Sequence, residues 1–277
     1  MRGAFRLAWA MLVVAIVSLV LVPPRWLGLK TGWFDAGRAS VLWHRAVLWA
    51  LGWRLRAEGR MSEKRPLLVV ANHISWADIL VLGTQGDVVF VAKSEVAGWP
   101  VIGPLARMQR TIFVERERRN KASAQAGELA GRLRASTAAI LFAEGTTADG
   151  NHLLPFKSSL FGALAIGGEA NVFVQPATIA YTTLHGIPMD RRERHVASWI
   201  GERSLWFHLK LLARHGPLDV ALRWGEPLEP GERFSRKVIA ASAQAVIRDD
   251  MAALLRGGAT ADGPEGTQSL SKPPETR

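Results

Sequence analysis

The sequence predicts an α/β protein: a largely parallel sheet flanked by helices, preceded by an N-terminal membrane-associated helical hairpin. Three observations carry this reading. Short apolar runs alternate with helix-length stretches after residue 60, the runs are apolar at nearly every position, and the first 60 residues have a composition of their own. The organisation that follows is a hairpin over 1–60, one α/β domain over 61–256, and a structureless tail over 257–277.

The hairpin comes first. Leu7 to Val22 carries no charge, and its sixteen residues would rise about 24 Å as a helix, short of the roughly 30 Å hydrocarbon core. Arg2 and Arg6 ahead of it are also what a signal peptide has. The run ends in Pro23-Pro24 with no small-x-small cleavage site, which favours a retained anchor. A second helix is expected from Ala39 to Ala57. There Arg38, Arg45 and Arg56 return to one face, and Leu42, Trp43, Val47 and Trp49 occupy others, as in an interfacial amphipathic helix. Residues 1–60 hold nine Lys or Arg against Asp35 and Glu58, together with six of the eleven tryptophans. Tryptophan favours the bilayer interface and basic residues are drawn to anionic lipid, so the expected partner is an anionic membrane surface and not a nucleic acid. Positive charge flanks the first helix on both sides, so a hairpin dipping into one leaflet from the cytoplasm fits best. The competing reading is two helices packed on a soluble domain.

The domain follows. Leu67–Ala71, Val88–Ala92, Thr111–Val114, Ala138–Ala143, Val172–Ala180 and Leu218–Trp224 suit strands covered on both faces. Helices are expected near 75–83, 119–135, 158–169, 201–214 and 235–255, the last capped by Ser235. Residues beyond 257 have no apolar periodicity. The chain has no cysteine, which excludes disulfides, thiolate metal sites and a cysteine nucleophile, and fits a reducing compartment.

Ligands in open α/β sheets collect beyond the carboxyl ends of strands. Here His73, Lys93, Arg116 and Glu144-Gly145-Thr146 each follow an apolar run. If His73 sits in a turn and a helix begins near Ser75, Asp78 lies in its first turn and reaches back to the imidazole. A carboxylate on one ring nitrogen leaves the other free to take a proton. The alternative is that Asn72 and Ser75 cap the helix and Asp78 only favours its positive end. There is no G-x-S-x-G elbow, no second histidine at zinc spacing, no Walker A loop and no G-x-G-x-x-G fingerprint. A base acting on a substrate hydroxyl remains. Lys93 reads equally as a head-group contact or a surface lysine, and Arg116 lies in ERERRNK, a run that ordinarily starts a solvated helix. Pro176 inside an apolar strand marks an edge or bulge. His152, His208 and His215 read as structural or exposed.

Asn72-His73-x4-Asp78, Phe113-Val114-x-Arg116, Phe142-Ala143-Glu144-Gly145-Thr146 and Val174-Gln175-Pro176-Ala177-Thr178-Ile179 occur in that order. Together they resemble the four motifs of the glycerolipid acyltransferase family, typified by 1-acylglycerol-3-phosphate acyltransferases, over about residues 60 to 250. The resemblance implies a membrane enzyme that moves an acyl group from a thioester, on acyl carrier protein or coenzyme A, to a lysolipid hydroxyl, with no acyl-enzyme and no tightly bound cofactor or metal. It implies His73 as base and Asp78 as its orienter. Arg116 would bind the acceptor's anionic head group, Glu144, Gly145 and Thr146 would shape the acceptor site, and Pro176 would form part of the acyl wall. Three positions depart from the pattern: Arg110 stands where glycine is common, Ala143 where proline is common, and Thr147 where phosphate-binding members have arginine. The stretch EGTTADGNHLLPFKSSLF resembles a bacterial branch with lyso-ornithine lipid acyltransferases, whose acceptor carries a carboxylate and an amine. Lysophosphatidate is the first acceptor expected, lyso-ornithine lipid the second. A non-catalytic lipid-binding protein on the same fold would show a lesion at His73, Asp78 or Glu144, and none is present.

Overall fold

A computed structural model describes residues 2–33, 35–100, 102–114, 131, 138–162, 172–201, 204–229 and 235–257. Arg116, the helix expected over 119–135 and the tail beyond Gly257 lie outside these residues.

Strand β1 (Arg54–Glu58), β2 (Leu67–Ala71), β3 (Val88–Lys93), β4 (Ile112–Val114), β5 (Ala138–Phe142), β6 (Phe173–Leu184), β7 (Ile187–Pro188) and β8 (Leu218–Trp224) make one sheet. Its order is β1-β8-β6-β2-β5-β3-β4, with β7 paired to β6. The strands from β6 to β4 run parallel, whereas β8 runs antiparallel to β6, and β1 follows β8. Every residue of β2 and β5 is buried, because side chains alternate between two covered faces. On one face Leu67, Val69 and Ala71 pack with Val47 and Leu48 of α2 (Ala36–Ala50) and with Leu80 and Val81 of α3 (Asp78–Gly83). On the other, Leu68 and Val70 pack with Ile239, Ala243 and Ile247 of α6 (Arg236–Gly257). Ser235 accepts from Val238 N–H at the start of α6, as the sequence predicts. Helix α4 (Ile102–Met108), which no apolar period announces, leads into β4, and α5 (Leu205–His215) starts with its Ser204 cap accepting from Phe207 N–H.

Helix α1 (Arg2–Thr31) passes straight through Pro23 and Pro24; its thirty residues span about 45 Å, beyond the length expected from the apolar run alone. It forms a hairpin with α2, registered by a Trp43 Nε1–H bond to Ser18 (2.9 Å) and a Trp9–Trp49 edge contact. Buried Arg25 donates to the carbonyls of Met108 and Ala36 and to Gln109, pinning the far end of α1 to the domain. The outer face of α1 is bare, with Phe5, Leu12, Ile16, Leu19 and Val20 exposed. From Gly3 to Thr31 it is long and apolar enough to cross a membrane.

The second helix is shorter than its sequence suggests. It begins at Ala36, where the Asp35 carboxylate accepts from Arg38 N–H, and stops at Ala50, because Gly52 adopts a left-handed φ of 73°. Residues 54–58 then form β1. Its exposed Arg54 and partly buried Glu58 pair with Asp219 and Arg223 of β8, at 2.6 Å each, so a polar strand was hidden at the end of an amphipathic pattern. Helix α2 also lies unusually close to α3: a Cβ at Gly83 would fall 2.4 Å from the ring of His44.

Candidate active site

The turn after β2 gathers the site. Asn72, buried at the strand end, spends its side-chain amide on the backbone of β6, giving to Ile179 C=O (2.9 Å) and accepting from Ile179 N–H (2.8 Å). It ties two strands together and caps no helix. Residue 73 therefore leaves the sheet at a fixed point, and the imidazole stacks on Phe142 at the end of β5, centroids 3.9 Å apart.

Asp78 is the first residue of α3, and its side chain is fully buried. Its Oδ2 accepts from His73 Nδ1–H (2.9 Å), Ile74 N–H (2.7 Å) and Ser75 N–H (2.9 Å), and its Oδ1 accepts from Tyr181 O–H (2.8 Å). The carboxylate thus organises the whole turn as well as the ring. A carboxylate can only accept, so it holds His73 in the tautomer with hydrogen on Nδ1, and Nε2 is left with its lone pair. The ring is partly open, 19% exposed at the side chain, so a substrate can reach it. Burial, then the charge of Asp78, pushes the Tyr181 hydroxyl well above its ordinary pKa, which keeps it a donor. No spacing in the sequence could have revealed Tyr181, which sits 103 residues away from Asp78.

Glu144 follows β5 and is also buried. One oxygen accepts from the backbone N–H of His73 and the other from that of Leu154, both at 2.7 Å. It braces the base from behind. Burial raises its pKa to about 7, against the two backbone bonds, with the charges of Asp78 and Asp149 adding to the rise. Gly145 has a left-handed φ of 72°, which lets the chain turn back so that Ala148 N–H reaches His73 C=O at 2.7 Å.

The remaining candidates are placed as follows. Thr146 is exposed beside Glu144, and Lys93 is exposed at the end of β3, on the same edge of the sheet. Pro176 is buried within β6, paired with Val70, on the face covered by α6. It is inside the sheet, yet locally edge-like: its carbonyl accepts from Gly225 N–H where the β8 ladder has just ended, so its missing N–H breaks no ladder bond. Arg110 has φ 59°, the conformation glycine takes without cost, and is held there by an ion pair with Asp87. Of the other histidines, His208 is buried against Trp76 Nε1–H, and His152 pairs with Asp149.

Thr147 has a role the sequence did not disclose. Its hydroxyl donates to Trp199 C=O, while Trp199 N–H donates to Ile74 C=O (2.9 Å). The Trp199 ring meets Trp99 edge-on at 5.9 Å. Trp99, Pro100, Ile102, Trp199 and Leu205 line an apolar cleft of about 520 Å³. Through Ile74 and Thr147 this cleft is fastened to the turn that carries His73.

A partly open imidazole, backed by a buried carboxylate and joined through the backbone of Ile74 to an apolar cleft, can take a proton from a hydroxyl on an amphiphile. Comparison with known proteins gives the same direction. A family profile described as Acyltransferase matches residues 54–180. A lyso-ornithine lipid O-acyltransferase from Brucella abortus is 44% identical over 263 residues, covering 93% of this chain and 98% of that one. A 1-acyl-sn-glycerol-3-phosphate acyltransferase from Neisseria meningitidis is 35% identical over 137 residues, covering 49% of this chain and 53% of that one. The crystal structure of the 1-acyl-sn-glycerophosphate acyltransferase from Thermotoga maritima superposes with a TM-score of 0.64 at 20% identity, covering 96% of this chain and all of the other, a likeness of fold.

Proposed function

The chain belongs to the acyltransferase family, and from that premise we propose that it is a membrane-anchored O-acyltransferase whose acceptor is a lyso-ornithine lipid. It is an acyltransferase of lysolipids; the acceptor and the donor are the parts proposed. The observation that carries the acceptor is the 44% identity to a lyso-ornithine lipid enzyme over nearly the whole of both chains. The likeness to the lysophosphatidate enzyme covers about half of each, which reverses the order expected from the sequence. Thr147 supports the same choice. Its hydroxyl is committed to Trp199 C=O, so this position offers no fork-shaped cation for a phosphate.

His73 Nε2 accepts the proton of the acceptor hydroxyl as that oxygen attacks the thioester carbonyl, carried on acyl carrier protein or coenzyme A. Asp78 stabilises the imidazolium that forms. The tetrahedral intermediate collapses with cleavage of the C–S bond, and the imidazolium returns its proton to the departing thiolate. Acyl oxygen ester and free thiol are the products, and no bond to the protein is made. Arg116 and Lys93 are the proposed cations for the acceptor's anionic group. Helix α1 and the basic hairpin hold the enzyme at anionic lipid on the cytoplasmic face.

The test offers an acyl thioester with either lyso-ornithine lipid or lysophosphatidate to the membrane-extracted protein, with His73→Ala alongside. Product from the ornithine acceptor that vanishes in His73→Ala is expected. Product from lysophosphatidate alone overturns the acceptor, and an equally active His73→Ala protein overturns the mechanism.

A further inference from the structure

Among the described residues, large apolar side chains are exposed along the α1–α2 hairpin, at Ile187 and Val238, and near the Trp99–Trp199 cleft, where Trp99, Ile200, Trp206 and Phe207 are 37%, 36%, 49% and 53% exposed. Trp99 lines the cleft, Ile200 follows the lining residue Trp199, and Trp206 and Phe207 follow the lining residue Leu205 on α5.

Charge says what covers them. The segments Arg2–Thr31, Ala36–Ala50 and Leu205–His215 contain no Asp or Glu, and besides buried Arg25 and Arg38, which pairs with Asp35, they carry Arg2, Arg6, Lys30, Arg45, Lys210 and Arg214. In α5 the outward face reads Trp206, Phe207, Lys210 and Arg214, with the Lys210 ammonium 5.6 Å from the Trp206 ring centre. The other end of α5 meets α1: a Cβ at Gly3 would lie 3.0 Å from Arg214 Cα. Aromatic rings with cations and no acids are the composition of a bilayer interface. Helix α6, on the far face of the sheet, carries Asp249 and Asp250 among its cations and shows no such pattern.

We propose that Trp99, Ile200, Trp206 and Phe207 form a second docking surface for an anionic phospholipid bilayer, which seats the mouth of the cleft on the lipid. The rim enters the interface, Lys210 and Arg214 meet lipid phosphates, and a lysolipid passes from the leaflet to His73 without crossing water. This rests on the lysolipid acyltransferase reading, and it adds a contact made by the catalytic domain itself.

The chain has no native cysteine, so a single introduced thiol is unique. Trp206→Cys and Phe207→Cys, made in the full-length protein, are labelled with an environment-sensitive fluorophore in vesicles of phosphatidylcholine and phosphatidylglycerol. Glu226→Cys, exposed beside the end of β8, is the reference. Blue-shifted emission quenched by bilayer nitroxides at 206 and 207, but not at 226, is expected. Quenching by aqueous iodide at 206 and 207 as strong as at 226 overturns the proposal. This readout needs no turnover, so it holds even if the acceptor assignment fails. With a working acceptor, the Trp206→Ala/Phe207→Ala protein should show a KM raised roughly tenfold for acceptor in vesicles, with kcat kept. An equal rise for a short-chain monomeric acceptor would show damage to the site and overturn the docking role.

Discussion

The turn after β2 and the loop after β5 each bury a carboxylate beside the same histidine. Asp78 receives four donors, including the reactive ring, and so sets the tautomer and aim of the imidazole. Among the described residues Glu144 receives only backbone N–H groups, from His73 and Leu154, and so sets where the histidine stands. Burial lifts Glu144 to a pKa of about 7, with two donors to oppose it. The lesson is that one site needs two kinds of support, one for chemistry and one for position, and a carboxylate's donors reveal which it gives.

The sharpest way to break this comparison is at Asp78. Asp78→Asn keeps the shape but places an amide where only an acceptor serves. We expect kcat to fall about 10³–10⁴-fold, close to His73→Ala, since the imidazolium loses its support and tautomer control. A fall of tenfold or less in a steady-state assay would mean that Asp78 is merely structural.

Glu144 separates the two supports by pH. Its folded pKa lies above the ordinary carboxylate value, so its contribution to stability is complete below about pH 4.5 and is lost as pH rises through about 7. The size is roughly 3 kcal/mol. Thermal unfolding in detergent should show the midpoint falling between pH 5 and 8, with a flatter profile in Glu144→Gln. Parallel profiles would sink the assignment. Activity of Glu144→Gln should drop less than that of Asp78→Asn, about tenfold, because the ring keeps its carboxylate.

The smallest effect belongs to Tyr181→Phe, which removes one donor of four from Asp78. About 1 kcal/mol of stability and a few-fold loss in kcat are expected. A loss in kcat as large as that of Asp78→Asn would promote the tyrosine from support to reactive group, and stopped-flow proton release would locate its role.

Legibility followed the range of each contact. The strands β2 and β5 were readable because every residue is buried and apolar. The His73–Asp78 pair was readable because five residues separate the partners. Strand β1 was missed because Arg54 and Arg56 are exposed while Leu55 and Ala57 are partly buried, and a short polar stretch at a helix end looks like more helix. The brace role of Glu144 was missed because a motif gives a residue's neighbourhood and not the direction its oxygens face.

What the sequence by itself determined is local: the alternation of strands and helices, the polar residues set at strand ends, the imidazole–carboxylate spacing, and the bare apolar helix at the start. Steric preference, pleat and apolar periodicity act between near neighbours, so they can be read along the chain. Only the tertiary structure decided that β6 lies beside β2 and brings Tyr181 to Asp78, that Thr147 fastens Trp199 to the turn carrying His73, and that α5 lines up with α1. Those meetings depend on which strands become neighbours across long crossovers, a choice made by packing the whole core at once.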